Sequence, residues 1–319
     1  HKRQLRRGLR VAFWSGHSHG RYAGSTWYAD NFWLDLEKNC VAHINADSLG
    51  SKGATMVTEA SVMPETRDFA SSVTERVAGQ KLSGHGFSRA GDQSFWGIGI
   101  PSVFMSLSEI PTEVGKENPD LKTVSLFGPS PTGAGWWWHT PHDTEDKIDP
   151  ENLSRDTKIY ALVTLALCTN PVLPFGYQQT AKEIRGTLED LQKASSELFD
   201  LHPLVHEADR LVTALAKLNR AAKKSKGDRK GEVINAALIR LGRTLIPLMY
   251  TGMDRFDHDL AVSFPPLPCL DAIRSLTKLN RQSDEFRFLS NGLRRNANRV
   301  RESLDKALGI VNSALKAIE

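Results

Sequence analysis

Cys40 to Ala46, CVAHINA, followed at once by Asp47 and Ser48, is the stretch around which the first half of the chain is organised. Aliphatic and β-branched residues dominate it, which is typical of a short buried strand that ends at a polar turn. Arg10–Trp14 (RVAFW) and Ile100–Leu107 show the same pattern and are also predicted strands. Helical patterns separate the three runs, so we expect βαβ units and a mostly parallel sheet.

The intervening helices are predicted from caps and apolar spacing. Asp149-Pro150 marks a helix start, because proline suits the first helical turn. The predicted helices of this half are Ser25–Asn39, 65–80 and 150–168. The fold class is therefore α/β, a mixed, mostly parallel sheet with flanking helices.

The second half has a different pattern and is predicted to be all-α. Helices are expected over 180–200, 204–222, 231–249 and from about Ser283 to the end. In the last one, apolar residues recur with an 11-residue period, which keeps them on one side of a long, nearly straight helix. We expect Leu293, Val300, Leu304 and Val311 to be buried there.

These patterns divide the chain into three parts. Residues 1–170 are the α/β part, residues 171–182 form a Pro-containing linker, and residues 183–319 form a helical bundle.

Composition excludes several classes of protein. Among 319 residues, 40% are hydrophobic and 24% are charged, which excludes a disordered or collagen-like chain. The three cysteines are far apart, which excludes a disulfide scaffold and a cysteine zinc finger. The net charge of +4 comes largely from runs without aromatic residues, so we expect no nucleic-acid partner. No run approaches the roughly 20 apolar residues of a membrane span.

Metal-type ligands are concentrated in three places. They are Gly16-His17-Ser18-His19-Gly20, Asn45-Ala46-Asp47, and the loop 138–144, WHTPHDT. In parallel sheets the carboxyl ends of strands carry the site, and imidazole and carboxylate suit zinc. Each cluster also has a structural interpretation, as an exposed loop, a turn cap or a helix cap. Trp136–Trp138 forms either a substrate wall or buried packing.

In order along the chain, WSGHSHGRYAGSTWYAD, HINADS, RAGDQSFWGIGIPSVF and WHTPHDTEDKIDPENL resemble the second half of the catalytic domain of co-catalytic zinc exopeptidases. These include zinc aminopeptidases, glutamate carboxypeptidase and the transferrin receptor. NPVLPFGYQQTAKEI and the helices after it resemble the helical dimerisation domain of the last two.

The resemblance implies the roles of individual residues. Asp47 matches a terminal zinc ligand and His139 the histidine ligand of the other zinc. A Glu-Glu pair, base and ligand, is replaced here by residues of His17-Ser18-His19. We therefore expect His17 as the catalytic base and His19 as a metal ligand, although the alignment leaves their roles interchangeable.

Two further positions and the missing ligands follow from the same resemblance. Trp138 replaces a tyrosine that stabilises the oxyanion, and Asp92 is expected to shape substrate binding. The chain opens on a histidine, which suggests a processed chain or a fragment. The resemblance places a further histidine and a bridging aspartate upstream of Arg10–Trp14.

The implied function is hydrolysis of a terminal peptide bond by water activated between two zinc ions. The resemblance implies a peptide substrate, a homodimer formed through the helical domain, and an extracytoplasmic or secreted location. The alternative is a receptor-like or scaffold relative without catalysis, which the absence of Glu-Glu favours.

Overall fold

The computed structural model describes residues 5–14, 16, 22–83, 94–104, 106–125, 130–225, 229–259 and 264–319. The chain packs as two compact units that alternate along the sequence. Unit 1 comprises His1–Arg10, Ile44–Phe87 and Ser102–Asn170, and unit 2 comprises Val11–His43, Ser88–Pro101 and Pro171–Glu319. The three-part division predicted above stays a prediction.

Helices dominate the described residues. In chain order they are α1 (Ala23–Asn31), α2 (Trp33–Asn39), α3 (Pro64–Ala78), α4 (Thr112–Glu117), α5 (Pro150–Thr169), α6 (Tyr177–Ala194), α7 (His202–Lys224), α8 (Arg229–Tyr250) and α9 (Asp284–Ile318). Within the described ranges, three 3-10 helices cover Pro119–Leu121, Glu145–Lys147 and Pro268–Lys278. The strands are β1 (His43–Ile44), β2 (Ser102–Val103), β3 (Ile110–Pro111), β4 (Thr123–Val124) and β5 (Thr132–Gly135).

The sheets are smaller than the sequence predicts. Strands β1 and β2 form one pair, and their ladder advances in the same direction on both strands, which makes the pair parallel. The other sheet has the order β3-β5-β4 and is antiparallel throughout. The described residues therefore form an α/β region with little sheet, and the expected mostly parallel sheet is not confirmed.

Three strand predictions need correction. The predicted strand Cys40–Ala46 is reduced to β1, His43–Ile44, because Cys40 caps the end of α2. The predicted strand Arg10–Trp14 is wrong: these residues are irregular, and Phe13 is 93% exposed. Of its apolar side chains, Trp14 packs against the hydrophobic cluster of unit 2 that includes Phe95 and Ile98. The predicted strand Ile100–Leu107 is reduced to Ser102–Val103, because Phe104 has a φ of 63° and so leaves the extended conformation.

The helix predictions are largely confirmed. Helix α5 begins after Asp149, whose side chain accepts hydrogen bonds from the backbone N–H groups of Glu151 and Asn152. The predicted helix Ser25–Asn39 is interrupted at Phe32, so it forms α1 and α2. The four helices predicted for the second half correspond to α6, α7, α8 and α9.

Helix α9 is 35 residues long and packs against α7, α8 and the Pro268–Lys278 helix. The residues predicted to be buried, Leu293, Val300, Leu304 and Val311, are all buried. The buried set also includes Ala307, Ile310, Ala314 and Ile318, so the face is wider than one stripe. Contact with both α7 and α8 explains the extra width.

Helix α8 is a long, apolar helix of unit 2. By length and composition alone it passes a test for a membrane-spanning helix, but 67% of its apolar window is buried inside the protein. Such burial is typical of the central helix of a folded domain. No other helix among the described residues passes that test.

A buried arginine in α8 donates hydrogen bonds to backbone carbonyl groups elsewhere in unit 2. Arg243 donates to the carbonyl oxygens of Leu36, Glu37 and Cys40 at 3.2, 2.8 and 2.6 Å, and so satisfies the C-terminal end of α2. It also donates to the Gly99 carbonyl at 2.8 Å. Gly99 has a φ of +84°, and a Cβ there would lie 2.5 Å from the Arg243 Cα. Only glycine therefore allows this approach.

Candidate metal-binding site

Asp47 lies in the turn that follows β1. The backbone N–H of Asn45 donates to the Val103 carbonyl at 3.3 Å, which ties the approach to this turn to β2. The Asp47 side chain is half-buried and accepts a hydrogen bond from the Ser48 hydroxyl at 3.1 Å. Ser48 has a φ of 55°, a left-handed conformation that non-glycine residues adopt at a cost.

The segment after Asp47 is fixed by a buried carboxylate of α5. Asp156 is fully buried and accepts from the Gly50 backbone N–H at 3.0 Å and from the Ser108 hydroxyl at 2.6 Å. The Arg155 guanidinium lies 2.8 Å from its other oxygen and compensates its charge. Gly50 has a φ of +72°, and a Cβ there would lie 2.6 Å from the Leu153 Cβ. The turn thus packs directly onto α5.

Three further hydrogen bonds join the same segment to the start of α5. The Asp149 N–H donates to the Gly50 carbonyl at 2.8 Å, and the Asn152 side-chain amide donates to the Ser51 carbonyl at 3.0 Å. Arg155 donates to the Ala54 carbonyl at 2.6 Å. Helix α5 therefore positions the turn that carries Asp47.

His139 lies in the loop that leads towards α5. It is exposed, and its φ of 60° is again left-handed. The Trp138 ring stacks on its imidazole, with ring centroids 3.3 Å apart and planes inclined by 13°. The Thr140 hydroxyl donates to the Trp137 carbonyl at 2.6 Å, which stabilises the turn directly after His139.

The three tryptophans before His139 occupy different environments. Trp137 is 3% exposed and packs with Ala54 and Ile110, so here the packing interpretation is confirmed. Trp136 is 36% exposed and donates from its indole N–H to the Asp120 carbonyl at 3.2 Å. Trp138 is half-buried. Its role as an oxyanion donor stays a prediction.

Tyr160 of α5 is affected electrostatically by both aspartates. Burial raises the pKa of its phenol, and the negative charges of Asp156 and Asp47 raise it further. Its hydroxyl is buried and has no hydrogen-bond partner among the described residues. Asp47 is thus close enough to α5 for its charge to act there.

Only some of the predicted metal ligands lie within the described residues. His17, His19 and Asp92 lie outside the described residues. Within the described ranges, no group of three or more His, Cys, Asp or Glu side chains is arranged to hold a metal ion. Asp47 and His139 have donor atoms of the right type, but a catalytic zinc ordinarily has three protein ligands. The metal-ligand roles of Asp47 and His139 therefore stay predictions.

Sequence reasoning missed the Arg155–Asp156 pair. A signal was available, since Asp156 stands at helical spacing with Ile159, Tyr160 and Val163, all of them buried. A carboxylate in a core position of a helix requires hydrogen-bond partners. Here the partners include the Gly50 N–H of the turn after Asp47 and the Ser108 hydroxyl.

A comparison with protein families decides the family. The model for Peptidase family M28 matches residues 1–164, more than half of the chain. The chain belongs to peptidase family M28. This is the co-catalytic zinc exopeptidase family, so the resemblance drawn from the sequence is confirmed. No curated protein matches the chain at a significant level.

Membership in M28 supports a hydrolase of the metallopeptidase type, and the family is generally zinc-dependent. The match covers both predicted ligands, Asp47 and His139, together with the first part of α5 that holds the Asp47 turn. It ends before the helices α6 to α9.

Proposed function

We propose that the chain is part of a zinc-dependent exopeptidase that hydrolyses a terminal peptide bond. The M28 match over residues 1–164 is the observation that carries this proposal. Asp47 and His139 are the proposed metal ligands contributed by the described residues. One of His17 and His19 supplies a further ligand and the other accepts a proton from water.

The two loops of unit 1 support this assignment independently of the match. Ser48, next to Asp47, and His139 itself both have left-handed backbones. Non-glycine residues hold this conformation at a cost of about 1 kcal/mol or more, and such residues concentrate at functional sites. In addition, the buried Asp156 carboxylate holds the turn after Asp47, since it accepts hydrogen bonds from Gly50 and Ser108.

Each described residue has a distinct task in this proposal. Asp156 and Arg155 hold the Asp47 turn against α5, and so they are positioning residues. Stacking by Trp138 restricts the rotation of the His139 imidazole. The Asp47 carboxylate and the His139 imidazole are proposed to converge within about 7 Å, because both would address one two-metal centre.

Zinc content and terminal cleavage of the natural full-length protein test the proposal. We expect two zinc ions per chain, measured by inductively coupled plasma mass spectrometry. Unblocked peptides should be cleaved from one end, and peptides blocked at that end should be resistant. Asp47→Asn and His139→Gln should each lower zinc occupancy and reduce kcat/KM at least about 100-fold.

Matched control variants come from the segment that follows His139. His142→Gln and Asp146→Asn change exposed residues that are not proposed ligands, so both variants should keep their zinc. If all four variants retain full zinc and activity, the ligand assignment is wrong. A folded protein that binds no zinc and cleaves no peptide would instead support the receptor-like alternative, which the sequence His17-Ser18-His19 favours.

We also propose that the helical part mediates a homodimer. Before Leu293, helix α9 has no buried residue, and Phe288 is 74% exposed. A second copy of the chain is the proposed cover of this segment. Light scattering should give twice the monomer mass, and Phe288→Glu should give a monomer. Leu165→Glu in α5, also at an exposed position, should not change the mass.

A further inference from the structure

A dense group of exposed cations lies where α7 ends and α8 begins. Residues 217–232 contain seven Lys or Arg and two Asp or Glu, a net charge of +5, whereas the whole chain has a net charge of +4. All other residues together therefore have a net charge of −1. Six of these cations lie within the described residues, and all six are exposed: Lys217, Arg220, Lys223, Lys224, Arg229 and Lys230. We call these six residues the basic end.

The two helix ends that carry the basic end lie close together. Only four residues join Lys224 to Arg229, so their Cα atoms are within about 18 Å of each other. Lys217, Arg220 and Lys224 follow each other at spacings of three and four residues, which places them along one face of α7. The six cations thus belong to one surface of unit 2.

The charge of the basic end is not used to hold the fold. Within the described ranges, none of its six side chains has an ion-pair or hydrogen-bond partner, and the exposed Glu232 pairs with none of them. The basic run at the start of the chain differs in this respect. There, Arg7 donates to the carbonyl oxygens of Leu167 and Asn170 at 2.9 and 2.8 Å and so ties the segment to the end of α5.

Helix stability does not explain the basic end either. Arg229 and Lys230 occupy the first turn of α8, where the partial positive charges of the backbone N–H groups repel cations. Arg220 precedes Lys223 and Lys224 by three and four residues, and like charges at this spacing repel each other. Only the last two, in the final turn of α7, stand where the helix dipole favours a cation. An anionic partner would offset this repulsion.

The composition of the segment narrows the class of partner. Residues 217–232 contain no aromatic residue, whereas proteins bind single-stranded nucleic acid by stacking bases on aromatic rings. No large apolar side chain of the segment is exposed, so none is available to enter a hydrocarbon layer. Four of the six cations are lysines, which interact with phosphate as point charges. A surface that presents many phosphate groups fits this set best.

We propose that the basic end binds the headgroups of anionic phospholipids at a membrane surface. The attachment is peripheral and electrostatic. Clusters of about four to eight Lys or Arg on an amphipathic helix bind acidic lipids, and each cation near the surface raises the binding constant about fivefold. The proposal does not rest on the peptidase activity, because the basic end belongs to unit 2 and lies outside the M28 match.

Sedimentation of the full chain with sucrose-loaded vesicles tests the proposal. Vesicles of phosphatidylcholine alone are compared with vesicles in which about a third of the lipid is phosphatidylglycerol. We expect binding to the second kind only. The partition coefficient should fall at least about tenfold when sodium chloride rises from about 0.05 M to about 0.5 M, because salt screens exposed charges. Equal binding to both vesicles, or binding that persists at high salt, would indicate apolar attachment and overturn the proposal.

Paired substitutions locate the contact. Lys223→Gln combined with Lys224→Gln removes two cations from the end of α7, and Arg229→Gln combined with Lys230→Gln removes two from the start of α8. Each double variant should lower the partition coefficient on the anionic vesicles about tenfold or more. Circular dichroism verifies folding, and if one double variant does not fold, the other carries the test.

The matched control removes two neighbouring cations from another helix of unit 2. Arg294→Gln combined with Arg295→Gln changes two exposed arginines of α9 that have no ion-pair partner among the described residues. This double variant lowers the net charge equally, but it should change the partition coefficient by less than about threefold, since charges more than a Debye length from the contact are screened.

Three results would overturn the proposal. The parent chain might fail to bind anionic vesicles at low salt. The control and the basic-end variants might lose binding equally, which would assign the effect to net charge alone. Finally, duplex DNA added at the same salt concentration might bind more tightly than the vesicles, which would assign the basic end to a nucleic acid instead of a membrane.

Discussion

Each unit of this protein contains a buried charged side chain, and the two charges are stabilised in different ways. In unit 1, Asp156 is paired with Arg155 and receives hydrogen bonds from Gly50 and Ser108. In unit 2, Arg243 has no carboxylate among its hydrogen-bond partners and donates to four backbone carbonyls. One charge is neutralised by a countercharge and the other only by dipoles.

The two buried charges have different structural roles. Asp156 can hold the polar turn after Asp47 because its own charge is compensated locally by Arg155. Arg243 instead completes the C-terminal end of α2, where the Leu36 carbonyl also accepts from the Cys40 N–H and Arg243 donates to the carbonyls of Glu37 and Cys40 as well. The first is thus linked to the candidate site, and the second to the packing of unit 2.

Removing the Arg243 guanidinium should have the largest effect on stability. Arg243→Met removes the side-chain donor of four backbone carbonyl groups, of which Leu36 alone keeps a backbone donor, the Cys40 N–H, and we expect a loss of about 4 kcal/mol in the free energy of unfolding. Urea denaturation followed by circular dichroism measures it. Arg240→Met, at an exposed position of the same helix, should change stability by less than about 0.5 kcal/mol. Equal effects would show that Arg243 contributes nothing specific.

Asp156→Asn should have the next largest effect, and it should extend to function. The amide cannot neutralise Arg155, so we expect a loss of about 3 kcal/mol together with weaker zinc binding. Glu151→Gln, an exposed carboxylate of the same helix, is the matched control. If Asp156→Asn lowers stability but leaves zinc affinity unchanged, Asp156 does not position the Asp47 turn.

The effect of His43 on acid stability should be smaller. Burial lowers the pKa of this imidazole to about 4 in the folded chain, from 6.5 when exposed. Between these values the unfolded chain binds a proton that the folded chain does not. Stability is therefore complete above about pH 6.5 and decreases towards pH 4, by about 2 kcal/mol.

Denaturation at several pH values measures the contribution of His43. The variant His43→Gln should have a flatter pH dependence between 4 and 6.5 than the parent chain. His202→Gln changes an exposed histidine and should keep the parent slope. A steep slope in His43→Gln would assign the acid sensitivity to other groups.

The sequence predicted the helices well and the strands poorly. Helices α5 and α9 depend on local signals, such as the Asp149 cap and the apolar period of α9, which are visible without tertiary structure. Strands depend on partners that are distant in sequence. Arg10–Trp14 has the composition of a strand, but no described strand pairs with it.

The same reason limits the prediction of the candidate site. Asp47 and His139 could be found from their motifs, whereas the roles of Asp156 and Arg243 depend on contacts over 106 and 144 residues. Both residues can be recognised in the sequence as charged residues at apolar positions of a helix. This pattern indicates that each has hydrogen-bond partners but does not identify them.

The smallest expected effect concerns the left-handed backbone next to Asp47. Ser48 has a φ of 55°, whereas Ser51 is not among the described residues with positive φ. Ser48→Gly should therefore stabilise the chain by about 0.5–1 kcal/mol, because glycine adopts this conformation without steric cost. Ser51→Gly should destabilise it by a similar amount, because it only adds freedom to the unfolded chain. Thermal unfolding of the two variants against the parent measures this difference. If Ser48→Gly is stabilising but weakens zinc binding, either the strained backbone or the Ser48 hydroxyl that donates to Asp47 serves the site, and Ser48→Ala, which removes the hydroxyl alone, separates the two; if zinc binding is unchanged, the strain has no part in metal binding.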